Sequence, residues 1–317
     1  MSGTVSLKAR VFGGLLGAAI GDALGLPFEG APREWLDQDP IEGIAGGGPH
    51  GQPAGAWSDD SSLLFCLAES LCSGYDPDDI GAKFLAWWTE GLWTPYGRAF
   101  GFGHATAAAM HKMMVGIPPL KAGQSGEGSN ANGSLMRTLP VALYFHRNRD
   151  LMLKAAHQVS SISHAHPRSL MCCGIYCLVA SSLLRGADRR EAVEDAVRQA
   201  NEYYRGPPWD DERVHLESIL SLEAIGLDRF QVKSGSYVVE TLEAALWSLV
   251  RGDSFRHALL VAVNLGGDTD TVGAVTGGLA GVCHGRDGVP EEWLEALARS
   301  DDILDLCERF WRAANSR

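Results

Sequence analysis

The sequence predicts an all-α protein. Apolar residues recur at three- and four-residue spacing, as in Leu63, Leu64, Leu67, Ala68 and Leu71 and again in Leu242, Ala245, Leu246 and Leu249. Leu170 to Leu184 is nearly continuous apolar sequence and reads as a central helix. No convincing alternating strand pair is present. Together these features predict a compact multi-helix fold around an apolar centre. With no internal repeat and no clear linker, residues 1–317 read as one domain.

The first helix is expected over Val5 to Leu24 and carries Gly13, Gly14, Gly17 and Gly21, with Gly25 at its end. Glycine costs about 1 kcal/mol relative to alanine inside a helix, so this density needs compensation. Close approach of another helix backbone is the simplest source. Gly273, Gly277, Gly278 and Gly281, in the apolar run Val272 to Val282, mark the expected partner. The first helix is not a dinucleotide fingerprint, because no strand precedes it and its glycine spacing is wrong.

A loop rich in Gly and Pro follows at Ile41 to Ala56, then a helix through Ser62 to Leu71. Helical spacing continues over Ile80 to Trp88 and Ala105 to Val115. A second Gly-rich loop, Gly116 to Asn132, ends at Asn132-Gly133-Ser134-Leu135-Met136-Arg137; loops of this length inside a compact domain are often functional. Further helices are expected over Leu135 to Phe145, Leu151 to Ile162, Arg189 to Tyr203, Val214 to Ile225, Ser254 to Val263 and Pro290 to Ala314. Tyr203 to Asp211, with Gly206-Pro207-Pro208, reads as an inter-helix turn.

Composition narrows the function. The chain is 45% hydrophobic and 21% charged, an ordinary globular balance. Its net charge is -12 and its longest basic stretch is Arg189-Arg190, which argues against a phosphate-tracking nucleic-acid groove. Seven cysteines lack regular spacing, and Cys172, Cys173 and Cys177 share one apolar run, so they read as core thiols. Gly13 to Leu26 is too short to span a bilayer and contains Asp22, while Asp268 and Asp270 interrupt Leu259 to Val282. A soluble cytoplasmic protein without membrane or nucleic-acid partners is expected.

Two distant acidic clusters are built alike. Trp57-Ser58-Asp59-Asp60-Ser61 and Gly266-Gly267-Asp268-Thr269-Asp270-Thr271 each place two carboxylates and a hydroxyl at the start of an expected helix. These are hard oxygen ligands suited to Mg²⁺ or Mn²⁺. Either cluster alone also reads as an ordinary helix cap. Residues i and i+2 point about 200° apart in a regular helix, so Asp268 and Asp270 converge only from an N-cap and first turn. If the fold joins the clusters, the chain reads as a two-metal hydrolase.

Six stretches carry a resemblance: Gly21-Asp22-Ala23-Leu24-Gly25 with Glu29 after it; Trp57 to Ser61; Asn132 to Arg137; Ser163-His164-Ala165-His166; Val238 to Trp247; and Asn264 to Thr271. In this order the chain resembles the ADP-ribosylglycohydrolase family over nearly its whole length. One departure is Ser58, and another Ser61, where many relatives have threonine; the hydroxyl survives in both.

The resemblance implies an all-α fold with a centre of two divalent ions, Mg²⁺ or Mn²⁺, held by Ser58, Asp59, Asp60, Asp268, Asp270 and Thr271. It implies catalytic roles for Glu29 and Asp60. It also places Asn132, Gly133, Ser134, Met136 and His164 around ADP-ribose. The activity implied is hydrolysis of the C1″ glycosidic bond of ADP-ribose attached to protein, with arginine the expected linkage. Serine-linked ADP-ribose, a small ADP-ribosyl or nucleotide compound, and a catalytically silent binding homologue are the competing readings.

Chemistry adds detail. The reaction passes through an oxocarbenium-like state, and Glu29 is placed to activate water or protonate the leaving group. Gly126 to Ser134 offers backbone N–H groups for the diphosphate without a basic patch. Asp22 is expected to be a structural hydrogen-bonding residue, and Arg137 to pair with a carboxylate near the core. His164 and His166, at i and i+2, do not share a helix face and are not read as a metal pair. Trp87, Trp88 and Trp93 are expected to pack; Phe100, Phe102 and Tyr237 are unranked candidates to stack on adenine.

Overall fold

The computed structural model describes residues 5–316. It contains fifteen α-helices: α1 (Leu7–Gly25), α2 (Arg33–Leu36), α3 (Asp59–Leu71), α4 (Pro77–Glu90), α5 (His104–Met114), α6 (Leu139–Tyr144), α7 (Arg149–Ser161), α8 (Pro167–Leu184), α9 (Arg189–Tyr203), α10 (Glu217–Leu220), α11 (Val238–Arg251), α12 (Phe255–Val263), α13 (Thr269–His284), α14 (Glu291–Ala296) and α15 (Ser300–Asn315). Short 3₁₀ turns join several of them. Among the described residues only isolated β-bridges occur, so the fold is all-α as expected.

The glycines of α1 and α13 build the centre. An added Cβ at Gly13, Gly17, Gly21 or Gly25 would stand 2.0–2.3 Å from the backbone oxygen of Gly281, Gly277, Gly273 or Thr269 respectively. The pairing climbs α1 as it descends α13, four residues at a time, so the helices run antiparallel with their backbones in contact. That arrangement sets the C-terminal end of α1, with Asp22 and the following Glu29, beside the N-terminal end of α13.

Helix α8 is buried nearly all round, with Met171, Ile175, Tyr176, Leu178 and Val179 in one core with Leu15, Leu16 and Ile20 of α1. Both α1 and α8 are long and apolar enough to cross a bilayer, but the fold itself covers them. Cys172, Cys173 and Cys177 are buried free thiols, and burial pushes Cys172 and Cys177 well above the ordinary thiol range.

Three expected helices are broken. Leu135 to Phe145 is helical only from Leu139, because Asn132–Ser134 forms a separate 3₁₀ turn and Pro140 opens the helix. Val214 to Ile225 divides into 3₁₀ Asp210–Leu216, α10 and 3₁₀ Ala224–Gly226, with Leu222 at φ +68° between the last two. Pro290 to Ala314 divides into α14 and α15. There Ala298 N–H donates to Gly55 O and the Arg299 guanidinium to Thr94 O, so partners across the fold replace the helical ones.

Candidate metal centre and substrate pocket

The second acidic cluster converges by leaving the helix. Asp268 is the N-cap of α13 and Asp270 lies in its first turn. Gly266 and Gly267 precede them at φ +74° and +72°, values that a side chain would strain. Gly267 N–H donates to Ala31 O and Gly30 N–H to Gly267 O, which ties the segment beyond Glu29 to the cluster.

Asp22 positions the first cluster. Its carboxylate accepts Ser58 N–H at 3.0 and 3.1 Å, Ser61 N–H at 3.0 Å and the Ser61 hydroxyl at 2.6 Å. With both oxygens occupied, Asp22 is the clamp between α1 and the start of α3, matching its expected structural role. Burial raises its pKa to about 6. Ser58 caps α3: its hydroxyl accepts Asp60 N–H and donates to Asp60 Oδ2 at 2.8 Å.

Glu29, Asp59, Asp60, Asp268, Asp270 and Thr271 line one pocket of about 300 Å³. Burial raises the pKa values of Asp59, Asp60 and Asp270 well above the carboxylate range, with mutual repulsion adding to it. Asp60 Oδ1 is buried with no partner among the described residues. Single oxygens of Asp22, Asp60 and Asp270 lie within 4.8 Å of one another. A buried group of carboxylates with an orphaned oxygen and adjacent hydroxyls fits a divalent cation.

The remaining expected site residues separate. Asn132, Gly133, Met136 and His164 line the same pocket. Asn132 Nδ2 also donates to Asp268 Oδ2 at 2.8 Å and Thr241 Oγ1 at 2.9 Å, so it braces an aspartate. Ser134 is not among the residues lining that pocket: its side chain is wholly buried, 2.8 Å from Ser160 Oγ and 3.5 Å from Cys173 Sγ. The 3₁₀ turn at Asn132–Ser134 directs it into the core.

Arg137 departs from its expected pairing with a carboxylate. It is fully buried and has no carboxylate partner among the described residues. It donates to Gly133 O, Val159 O and Ser163 Oγ, and its guanidinium lies over the Phe84 ring. Burial lowers its pKa to about 10.

His164 and His166 part as expected, the first toward the pocket. His166 joins Glu127, Arg168 and Glu212. Arg168 stands between those carboxylates, 2.8 Å from each, so the cluster is an ion-pair brace for the Gly116–Asn132 loop, with a guanidinium in the place a cation would take. Tyr237 lies against Arg168, Phe102 packs on Trp88, and Phe100 meets His50. Trp87 and Trp88 pack with Phe102, and Trp93 with Phe65.

Sequence reasoning missed His50, whose Nε2 is 2.5 Å from Glu29 Oε2. Its one signal was a histidine in the glycine-rich loop leading to the first cluster. His104, Thr106 and Ser236 also line the pocket without having been singled out.

Comparison with known proteins identifies the family. The family model for ADP-ribosylglycohydrolase matches residues 3–317. ADP-ribosylarginine hydrolase Tri1 of Pseudomonas putida (strain GB-1) is 33% identical over 96% of this chain and 78% of its own length. ADP-ribosyl-[dinitrogen reductase] glycohydrolase of Rhodospirillum rubrum is 28% identical over 92% of this chain and 91% of its own. A solved structure described as an ADP-ribosylglycohydrolase-related protein complex superposes with a TM-score of 0.81 at 33% identity, covering 98% of this chain and 99% of that one.

Proposed function

This chain belongs to the ADP-ribosylglycohydrolase family and is an ADP-ribosyl glycohydrolase; from that premise we propose that it releases ADP-ribose from arginine side chains of modified proteins. The observation that carries the reading is the convergence of Glu29, Asp59, Asp60, Asp268 and Asp270 on one pocket. The arginine linkage named for the Pseudomonas putida relative supports the choice of substrate.

In this reading Asp59, Asp60, Asp268 and Asp270, with the hydroxyls of Ser58 and Thr271, hold two divalent ions, Mg²⁺ or Mn²⁺. When bound, such ions supply positive charge that holds sugar hydroxyls and acidifies water at the reacting carbon. Glu29, oriented by His50, takes a proton from water as its oxygen bonds to C1″. It returns a proton to the guanidine nitrogen as the C1″–N bond breaks. The product leaves as guanidinium, which a carboxylate-lined site favours. Asn132, Gly133, Met136 and His164 form the part of the wall that receives ADP-ribose.

The test is ADP-ribose release, followed by mass spectrometry, from arginine-modified protein, serine-modified protein and a free ADP-ribosyl compound, with Mg²⁺ or Mn²⁺. Release from the arginine conjugate is expected. Release from the serine conjugate alone, or from the free compound alone, would overturn the linkage.

A further inference from the structure

Arg137 is a large cation wholly inside the protein; no carboxylate among the described residues hydrogen-bonds to it, and the Asp59 charge acts on it only from a distance. Such a charge is costly to bury, so what it contacts matters. One Nη donates to the carbonyl of Gly133, at 2.8 Å, and Gly133 lines the pocket. The other donates to Ser163 Oγ at 2.6 Å, and Ser163 Oγ lies 2.7 Å from His164 Nδ1. Ser163 is fully buried and His164 nearly so.

The direction of this chain follows from proton counting. A guanidinium only donates, so Ser163 Oγ accepts from Arg137. Ser163 Oγ has a second lone pair, but its own hydroxyl proton has no acceptor among the described residues except His164 Nδ1, so satisfying that proton makes Nδ1 the acceptor. A neutral imidazole accepting at Nδ1 carries its proton on Nε2. Burial, and then the nearby Arg137 charge, lower the His164 pKa to about 3, so the ring is neutral. Nε2 has no protein partner among the described residues. It stands 3.5 Å from where a Cβ on Gly133 would lie, at the pocket wall.

We propose, resting on the assignment of ADP-ribose to this pocket, that Arg137 and Ser163 are positioning residues that lock His164 as the Nε2–H tautomer, a neutral donor for a diphosphate oxygen of ADP-ribose. The arrangement suits a pocket crowded with carboxylates. An exposed lysine or arginine there would be drawn to the aspartates, whereas a neutral N–H donates only to an acceptor brought against it. The Ser163 hydroxyl on Nδ1, itself polarised by Arg137, strengthens that donor by hydrogen-bond cooperativity. The positive charge stays behind the wall, where it acts on an anion through space and makes no hydrogen bond to the acidic cluster.

Ser163→Ala removes the relay with little change in volume, and Ser163→Thr restores the hydroxyl. Ring ¹⁵N shifts of His164, assigned by their loss in His164→Asn, report the tautomer independently of activity. Calorimetry with ADP-ribose and with Mg²⁺ reports the two affinities. The expected result is an Nε2–H ring in the wild type and a mixed ring in Ser163→Ala. ADP-ribose affinity should fall about three- to tenfold in that variant, the size of one hydrogen bond, with Mg²⁺ affinity unchanged and Ser163→Thr close to wild type. A proton on Nδ1 in the wild type, or unchanged ADP-ribose affinity in Ser163→Ala, would overturn the relay alone. A wild-type protein with the Nε2–H ring that binds no ADP-ribose would overturn the ligand and the proposed function together.

Discussion

Glu29 shows how one side chain acquires a role from its neighbours. It follows a 3₁₀ turn at Leu26–Phe28, lines the carboxylate pocket and is held by His50. His50 in turn rests against Phe100, so the carboxylate is oriented from outside the cluster of aspartates. General acid–base groups contribute about 10²- to 10⁴-fold to a rate. Glu29→Gln is therefore expected to lose activity on that scale while keeping ADP-ribose and Mg²⁺ affinity, read by steady-state kinetics and calorimetry on the same preparation. Near-wild-type turnover would reduce Glu29 to a turn residue. His50→Ala leaves the carboxylate in place but unsupported, and a smaller loss of rate is expected from it.

At the scale of elements, the α1–α13 contact decides whether a site exists. The two acidic clusters lie more than 200 residues apart, and the glycine contact brings the end of α1 to the start of α13. Asp22 then clamps α3 to the same place. In Gly21→Ala the new methyl would stand 2.0 Å from Gly273 O, a contact with backbone that no rotamer relieves. The gain in helix propensity is about 1 kcal/mol, and overpacking ordinarily costs about 1–3 kcal/mol. The variant is expected to lose at least the upper end of that range in urea unfolding, and to lose Mg²⁺ affinity with it. Gly14→Ala meets a Val282 methyl at 2.8 Å and is expected to be milder. Equal stability of the two variants would contradict a backbone-to-backbone contact.

At the scale of the whole molecule, the carboxylate cluster opposes folding until a cation arrives. Asp22, with a pKa of about 6 against an ordinary 3.8, and Asp59, Asp60 and Asp270, raised further, bind protons more tightly folded than unfolded. Across that window the native state holds more protons, so their contribution to stability falls as pH rises. Metal-free protein is expected to show this as a melting temperature that drops as pH rises from about 4 through about 6 and beyond, relative to Asp60→Asn, whose slope is flatter. Mg²⁺ or Mn²⁺ should raise the wild-type melting temperature at neutral pH by linkage and release protons on binding. Asp60→Asn is expected to be the more stable protein without metal and to gain little from it. A metal-free wild type whose stability rises across this window faster than that of Asp60→Asn would refute the account.

Local pattern alone determined much of this protein. Three- and four-residue spacing marked most of the helices, because burying one face of a helix imposes that period on sequence. The glycines of α1 and α13 announced a close backbone contact, since nothing else offsets their cost in a helix. Paired carboxylates at helix starts marked the acidic residues that meet in one pocket. Other features arose only from tertiary structure. Leu297 to Arg299 left the helical path because partners at Gly55 and Thr94 lay across the fold. Ser134 turned into the core, Arg137 found carbonyls and a hydroxyl in place of a carboxylate, and His50 reached Glu29. Each of these depends on which groups from distant segments meet in space. A periodic pattern records whether a side chain is buried, but not the partner it is buried against.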